Sequence, residues 1–363
     1  MRIRELFFHN IRNFRGDRLI SFVDPITDET RQITVIAGSN GTGKTTILEA
    51  LGSIFNLINS QYDNLANEAL NDGMIGVEIE LNKEEYQIGL GIQESLHYKY
   101  SNVLQTNLLQ IVVGKEEFQQ HPYIKNQSEY IIIPHFLPEL GLTFQILHGI
   151  TRNEPLLGGY LLFPHNRQIA LNTQKRIEKP SKNQNWLFRY NNSENIKDNL
   201  EQFWVWQNYL DLEQNLSGSN FEPFIQRVEK ALGNNRKISI KEGEVFIDTG
   251  WNQENGTPSK VRINHLPSGE QQILLLLGEI SRKMRKGGVI GIDEIENSLH
   301  PTLQRLLMWH LRNLATEWDG QIIVTTHSME IINSVRGGAL INLDYPEEDH
   351  FNKMIDNTGK EIG

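Results

Sequence analysis

The sequence contains no cysteine in its 363 residues, and this absence excludes several kinds of site. Without thiols there is no disulfide framework, no cysteine-ligated zinc centre and no cysteine nucleophile. Long apolar runs are also absent, since no window reaches the roughly 18 uninterrupted apolar residues that cross a membrane. The first ten residues carry charges within their short apolar run and show no small-residue cleavage site, unlike a signal peptide. We therefore expect a cytoplasmic protein without a membrane segment.

Basic residues are also fewer than acidic ones. The 35 Lys and Arg residues face 45 Asp and Glu residues, which gives a formal net charge of −10. An acidic surface argues against indiscriminate coating of nucleic acid, although it leaves room for a local basic patch. The length allows two or three domains, or a single large core with an attached lobe.

The order of apolar patterns predicts an α/β protein. Strand-like runs fill the first 37 residues, and short β runs separated by Gly and Asn predict antiparallel strands over residues 74–147. Two helical segments follow at about 195–215 and 221–233, then a probable hairpin and a polar loop at 252–259. In the last third helices alternate with strands, which predicts a parallel sheet with covering helices. We expect four parts: an N-terminal lobe with an antiparallel β region (1–170), a helical insert lobe (171–260), the C-terminal part of the core (261–345) and a polar tail (346–363).

The strongest motif is a glycine-rich loop between a β-rich segment and an apolar-periodic helix. It fits the pattern G-x-x-x-x-G-K-[ST] without a gap, and such loops wrap phosphates with successive backbone N–H groups. The lysine reaches the β- and γ-phosphates, and the Ser/Thr hydroxyl ligates Mg²⁺. The sequence thus predicts an ATP site at Gly38, Ser39, Asn40, Gly41, Thr42, Gly43, Lys44, Thr45 and Thr46.

Two carboxylates follow a short apolar strand at residues 289–292. In P-loop ATPases the first holds Mg²⁺ and the second polarises the attacking water, so we assign these roles to Asp293 and Glu294. His327 ends another buried strand, and parallel-sheet geometry places it at the same edge, beside the γ-phosphate. Earlier in the chain, Ser268 and Gly269 open an apolar helix, where Ser268 is a natural N-cap and Gly269 allows close approach to an anion.

These four motifs, in this order, resemble the ABC-type ATPases. The segment LPSGEQQ is similar to their signature motif, and the form IDEIENSLHP resembles the RecF, SMC and OLD-like branch. On the same resemblance Arg12, in an opening similar to N-F-R, would lie against nucleotide; the alternative is a surface arginine beside a strand. Gln168, after LLFPHNR, would be the Q-loop glutamine; the alternative is a polar loop.

The resemblance implies the fold, the cofactors and the assembly. We expect a P-loop NTPase with the ABC-ATPase head architecture: a mixed sheet with covering helices, an N-terminal antiparallel β region and a helical lobe. ATP and Mg²⁺ are the expected cofactors. Each signature would contact the ATP held by the P-loop of a second copy, so one P-loop and one signature imply a symmetric homodimer. No sustained heptads or appended nuclease domain are seen, and small ATPases of this kind occur with a separate effector, a nuclease or other toxin, in bacterial anti-phage systems.

Two other functions stay open at this stage. The first is a RecF-like repair ATPase that acts on DNA directly, for which the basic and aromatic segment 175–189 is a candidate DNA or RNA contact. The second is a regulatory scaffold in which ATP binding matters and turnover does not.

Overall fold

The computed structural model describes most of the predicted core. The described residues are 1–58, 63–80, 108–114, 129–133, 159–169, 179, 187–191, 199–233, 236–252, 256, 258–335 and 337–344. Parts of the predicted β region, among them residues 85–92 and 142–147, lie outside these residues, as do most of the basic segment and the predicted tail.

A six-stranded sheet forms the centre of the molecule, with the order β14-β3-β13-β12-β7-β8. All neighbouring strands in it run parallel. Its strands are short and almost fully apolar, as expected where helices cover both faces. They are β3 (Ile33–Ala37), β7 (Tyr160–Phe163), β8 (Leu187–Arg189), β12 (Val289–Ile292), β13 (Gln321–Thr326) and β14 (Leu340–Asn342).

The register of this sheet brings several strand ends to one edge. Ala37 at the end of β3 pairs with Thr326 of β13, and Ile292 of β12 pairs with Phe163 of β7. The residues that follow these four strands therefore meet at the carboxyl edge, which is where ligands bind in parallel α/β sheets.

Alternate side chains of the central strands lie on opposite faces of the sheet and belong to two separate apolar clusters. On one face Ile36, Leu162 and Ile323 pack with helix α1 (Lys44–Ile58) and the N-terminal sheet. On the other face their strand neighbours pack with four helices: α3 (Leu200–Glu213), α4 (Glu222–Leu232), α5 (Ser268–Lys283) and α6 (Pro301–Glu317). Burial on both faces fixes the strand register, since a slip by one residue would exchange the two clusters.

The N-terminal sheet has five strands in the order β2-β1-β4-β5-β6. They are β1 (Arg2–Ile11), β2 (Phe14–Ser21), β4 (Met74–Glu80), β5 (Leu108–Gly114) and β6 (Glu129–Ile133), with α2 (Asn64–Asp72) beside them. The first four strands pair antiparallel, as predicted, but β6 runs parallel to β5. The expectation of antiparallel strands throughout 74–147 is therefore wrong at this pair, because strand patterning does not encode pairing direction.

The predicted hairpin is present as β9 (Ile238–Lys241) and β10 (Glu244–Asn252). The predicted polar loop at 252–259 is too long, because β11 (Pro258–Arg262) starts inside it and pairs with β10. Pro258 and the polar residues after it hid this strand from apolar patterning. A short helix, α7 (Met329–Ser334), follows β13.

The architecture confirms the predicted fold class, an α/β P-loop ATPase head with an antiparallel β region and added helices. The domain boundaries at 170, 260 and 345 stay predictions. No helix within the described residues is both long and apolar enough to cross a membrane.

Candidate functional site

The predicted phosphate loop joins β3 to α1 at the carboxyl edge of the central sheet. Lys44 is the first residue of α1 and is 7% exposed. Its Nζ donates hydrogen bonds to the carbonyl oxygens of Gly38 at 2.8 Å and of Ser39 at 2.9 Å. Burial lowers the pKa of Lys44, while the nearby carboxylates of Asp293 and Asp344 act in the opposite direction. The ammonium is thus held over the loop where a phosphate would need it.

Thr45 and Asp293 meet across the sheet edge, as the motif assignment predicts. The Thr45 hydroxyl lies 3.0 Å from Asp293 Oδ2 and 3.2 Å from Oδ1. Asp293 is 2% exposed, and Thr325 Oγ1 donates to its Oδ1 at 2.6 Å. A hydroxyl and a carboxylate are hard oxygen ligands, so this donor set fits Mg²⁺.

Glu294 adopts a left-handed backbone conformation, with φ of +46°. Its N–H donates to Thr325 Oγ1 at 2.8 Å, which joins the turn to the neighbouring strand β13. Glu296, two residues further on, accepts hydrogen bonds from Thr326 Oγ1 at 2.7 Å and from the N–H of His327. The turn after β12 is therefore hydrogen-bonded to the residues at the end of β13, where His327 follows the strand. The His327 side chain is exposed.

The signature segment begins α5, but its first serine does not cap the helix as predicted. Ser268 is the first helical residue, while Pro267 occupies the N-cap position and provides no side-chain cap. The Ser268 side chain is exposed and remains available for an external contact. Gly269 is buried, and a Cβ there would lie 3.0 Å from the Ser298 carbonyl oxygen. The helix thus packs closely against the turn after Glu294, and a larger residue at this position would need that turn to shift.

Arg12 lies at the turn between β1 and β2 and is held by two carboxylates. Its Nη1 donates to Glu49 Oε2 at 2.6 Å and its Nε to Glu68 Oε2 at 3.2 Å. Glu49 belongs to α1, so these contacts place Arg12 beside the helix that follows the phosphate loop. A direct contact with nucleotide stays a prediction.

In the loop after β7, His165 approaches the Asp293 carboxylate. His165 Nδ1 lies 3.4 Å from Asp293 Oδ2, while Gln168 is exposed and its carbonyl oxygen accepts from the Tyr190 hydroxyl at 2.6 Å. The signal that could have found His165 is its place directly after the strand and Pro164. A Q-loop role for Gln168 stays a prediction.

Two further contacts to the phosphate loop were not foreseen. Asn13 Nδ2 donates to the Gly41 carbonyl oxygen, and the Phe14 ring packs against Gly43. Beside them lies a cavity of about 300 Å³, lined among others by Asn13, Phe14, Arg15, Arg18, Gly41 and Thr42.

The end of β14 also touches the phosphate loop. The Asp344 carboxylate accepts hydrogen bonds from Ser39 Oγ at 2.6 Å and from the Ser39 N–H at 2.9 Å. These bonds lower the pKa of Asp344. The residue after β14, near the end of the described chain, thus contacts the phosphate loop.

The fold and this constellation of motifs define a P-loop ATPase of the ABC type. Residues 1–332 match the family described as AAA ATPase domain, and the chain belongs to that family. This confirms the recognition of the sequence as an ABC-type ATPase of the RecF, SMC and OLD-like branch.

Individual relatives are distant. The chain is 21% identical to the Retron Vc95 probable ATPase of Vibrio cholerae serotype O1 biovar El Tor, over 93% of this chain and 73% of that protein. Among solved structures it is similar to the SMC head domain from Thermotoga maritima, with 14% identity, 94% coverage of both chains and a TM-score of 0.45. A Pyrococcus furiosus Smc head bound to the C-terminal domain of ScpA gives 10% identity, coverage of 94% and 93%, and a TM-score of 0.49.

Proposed function

We propose that the chain binds MgATP at this site, hydrolyses it and uses the cycle to regulate a separate effector. The observation that carries the catalytic part is the approach of Thr45 to Asp293 at 3.0 Å, with Glu294 next in the chain. A phosphate loop, a metal pair and an adjacent carboxylate are the parts that ATP hydrolysis needs. The ATPase family of the chain supports the same reaction.

Each part of the site has a role in this proposal. The backbone N–H groups of residues 38–46 and Lys44 bind the phosphates, and Thr45 with Asp293 holds Mg²⁺. Bound Mg²⁺ would neutralise charge on the phosphate oxygens. Glu294 orients and deprotonates the attacking water, and His327 stabilises the γ-phosphate.

The nucleoside end would occupy the cavity beside the phosphate loop. Its volume of about 300 Å³ lies at the lower end of the range for small-molecule sites. Asn13 and Phe14 line this cavity and also contact Gly41 and Gly43 of the phosphate loop. A base bound in the cavity would therefore contact residues that support the phosphate loop.

The active assembly in this proposal is a symmetric homodimer. Ser268 is exposed at the positive end of α5, where a helix N-terminus favours an anion. A second copy would bring Ser268 and Gly269 to the γ-phosphate held by the first, and by symmetry two composite sites would form. ATP then acts as the switch, through contacts made only in the closed state.

The proposed biological role is anti-phage defence with a partner nuclease or other toxin. Its support is the similarity to a protein named as a retron ATPase. The exposed surface of the dimer, rather than a second catalytic domain of the described chain, would carry the signal to the effector.

The decisive experiment is Glu294→Gln. Without the carboxylate, water is not activated but phosphate and metal contacts remain, so ATP should hold the variant as a dimer on size-exclusion chromatography with light scattering. ATP turnover should fall by about 100-fold or more. Lys44→Ala is the matched control and should stay monomeric with ATP. A monomer in every condition, together with normal hydrolysis in the wild type, would refute the composite site.

A second experiment addresses the partner. The Glu294→Gln dimer, mixed with the product of the neighbouring gene, should bind it with ATP and release it with ADP. Tight, salt-dependent binding of DNA by the dimer alone would instead favour direct action on DNA.

A further inference from the structure

The loop after β7 contains a buried arginine that none of the sequence motifs assigns. Arg167 is only 2% exposed, and it lies four residues after the last residue of the strand. Arginine is rarely fully buried unless its donors are paired, so its contacts show what it does.

The guanidinium of Arg167 holds the backbone at the end of β12. Its Nη1 donates to the Asp293 carbonyl oxygen at 2.6 Å and to the Pro164 carbonyl oxygen at 3.1 Å. Its Nη2 donates to the Glu294 carbonyl oxygen at 3.1 Å. The side chain therefore hydrogen-bonds the main chain, rather than the carboxylates, of the two residues expected to handle the metal and the water.

This contact supports a strained turn. Glu294 has φ of +46°, in the left-handed region that L-residues other than glycine rarely adopt. Thr325 Oγ1 holds its N–H from one side, while Arg167 Nη2 holds its carbonyl group from the other. Together the two contacts fix the direction in which the Glu294 side chain leaves the backbone.

Arg167 also contacts α5, the helix that begins with the signature segment. Gln272, in the second turn of α5, donates from Nε2 to the Arg167 carbonyl oxygen at 3.1 Å. Gln272 is 8% exposed, so solvent does not compete strongly for this bond. Arg167 thus joins α5 through its backbone and the Glu294 turn through its side chain.

The guanidinium of Arg167 keeps its charge although it is buried. Burial lowers the pKa of Arg167 to about 10, although Asp293 and the two nearby glutamates favour its charge. It therefore remains protonated at neutral pH. Its Nε has no hydrogen-bond partner within the described part of the chain, so the guanidinium is oriented by the carbonyl groups alone.

We propose that Arg167 is a positioning residue that holds the turn at Glu294 and so sets the Glu294 carboxylate for water activation. The inference rests on the proposed ATP hydrolysis. A displacement of about 1 Å at a catalytic group can cost about 100-fold in rate, so small changes in this turn matter.

The test uses Arg167→Met and Arg167→Lys, with Arg282→Met as the matched control. Arg282 is another buried arginine, paired with Glu279 at 2.8 Å towards the end of α5. Arg167→Met should lower kcat by about 10- to 100-fold with the KM for ATP changed less than about threefold. Arg167→Lys keeps the charge but loses the planar fork, so an intermediate kcat is expected. Arg282→Met should reduce Tm and leave kcat unchanged at a temperature well below Tm.

Hydrogen exchange measured without turnover separates this inference from the proposed function. The amides of residues 293–297 should exchange faster in both Arg167 variants than in the wild type or in Arg282→Met. A wild-type protein that does not hydrolyse ATP would refute the proposed function. The exchange result would still show whether Arg167 holds the turn at residues 293–297. Unchanged exchange, or a wild-type kcat in folded Arg167→Met, would overturn the inference.

Discussion

Gly43 shows how a single position in the phosphate loop is constrained twice. Its φ is +100°, in the region that favours glycine, and a Cβ there would lie 2.6 Å from Phe14 Cζ. Phe14 is 5% exposed and stacks on Phe8, so its ring has little freedom to move. The glycine of the motif is therefore required both by its backbone conformation and by the N-terminal hairpin.

Gly43→Ala should accordingly weaken MgATP binding by at least about tenfold, since 1.4 kcal/mol suffices for that factor. Isothermal titration calorimetry measures the change. Gly243→Ala is the matched control, because Gly243 has φ of +77° with nothing within 4 Å of an added Cβ. It should lower Tm slightly and leave MgATP affinity intact. Equal MgATP affinity in Gly43→Ala and wild type would contradict the argument.

At the residue scale the motifs predicted which residues meet at the sheet edge, but they missed several of the supporting contacts. The meeting of Thr45 with Asp293 follows from two motifs whose order in the sequence is diagnostic. Ser268 was assigned a capping role on residue type alone, although helix α5 in fact begins with it. His165 and Asp344 reach the site only because their strands end at the same sheet edge.

At the scale of a single element, helix α6 contains a histidine whose charge is opposed by its surroundings. His310 is 5% exposed, and burial lowers its pKa, as do the cations of Arg227 and Lys230. The unfolded chain takes up a proton at about the ordinary pKa, whereas the folded chain takes it up only at lower pH. Stability is therefore fully present above pH 6.5 and is lost as the pH falls below it.

His310→Gln should reduce this acid loss of stability, because the unfolded state no longer gains that proton. The measurement is Tm by calorimetry at pH 7.5 and 5.5, where the variant should show a smaller drop than the wild type. His265→Gln replaces an exposed histidine and should lose stability on acidification as the wild-type protein does. An unaltered drop in His310→Gln would show that other groups dominate.

Element prediction succeeded where the residues show a clear apolar pattern and failed where they are mostly polar. Strands β3, β7 and β12 match their predicted positions because both sheet faces are buried and their residues are almost all apolar. Helix α1 matches because its apolar residues recur at helical spacing. Strand β11 was missed because its sequence, PSKVR, has the composition of a loop. It forms a strand because its backbone pairs with β10, which its own residues do not predict.

At the scale of the whole molecule, one buried glutamine joins the two large sheets. Gln321 of β13 is fully buried; its Oε1 accepts from the Ile3 N–H at 2.7 Å, and its Nε2 donates to the Ile3 carbonyl oxygen at 2.9 Å. Ile3 belongs to β1, beside a register irregularity, so the side chain satisfies backbone groups there. The link fixes the N-terminal sheet to the central one.

Gln321→Met should therefore lower the free energy of unfolding by about 1–3 kcal/mol for each backbone group left unsatisfied. Urea unfolding followed by fluorescence and circular dichroism measures this loss. Gln32→Ala, at a half-buried glutamine, is the control and should change stability by less than about 0.5 kcal/mol. A Gln321→Met protein as stable as the wild type would show that the sheets are held together by apolar packing alone.

The sequence by itself determined the class of protein, because a phosphate loop, a signature and two strand-end motifs are local patterns whose chemistry requires particular residues. It also determined four of the six central strands, β3, β7, β12 and β13, since a sheet buried on both faces needs continuous apolar runs; β8 and β14, of three residues each, were not predicted. The tertiary structure alone decided which distant residues support the site. Arg167, His165 and Asp344 reach the phosphate loop and the carboxylates through the strand order β14-β3-β13-β12-β7-β8. That order joins segments far apart in the chain, and strand pairing of this kind leaves no periodic trace in the sequence.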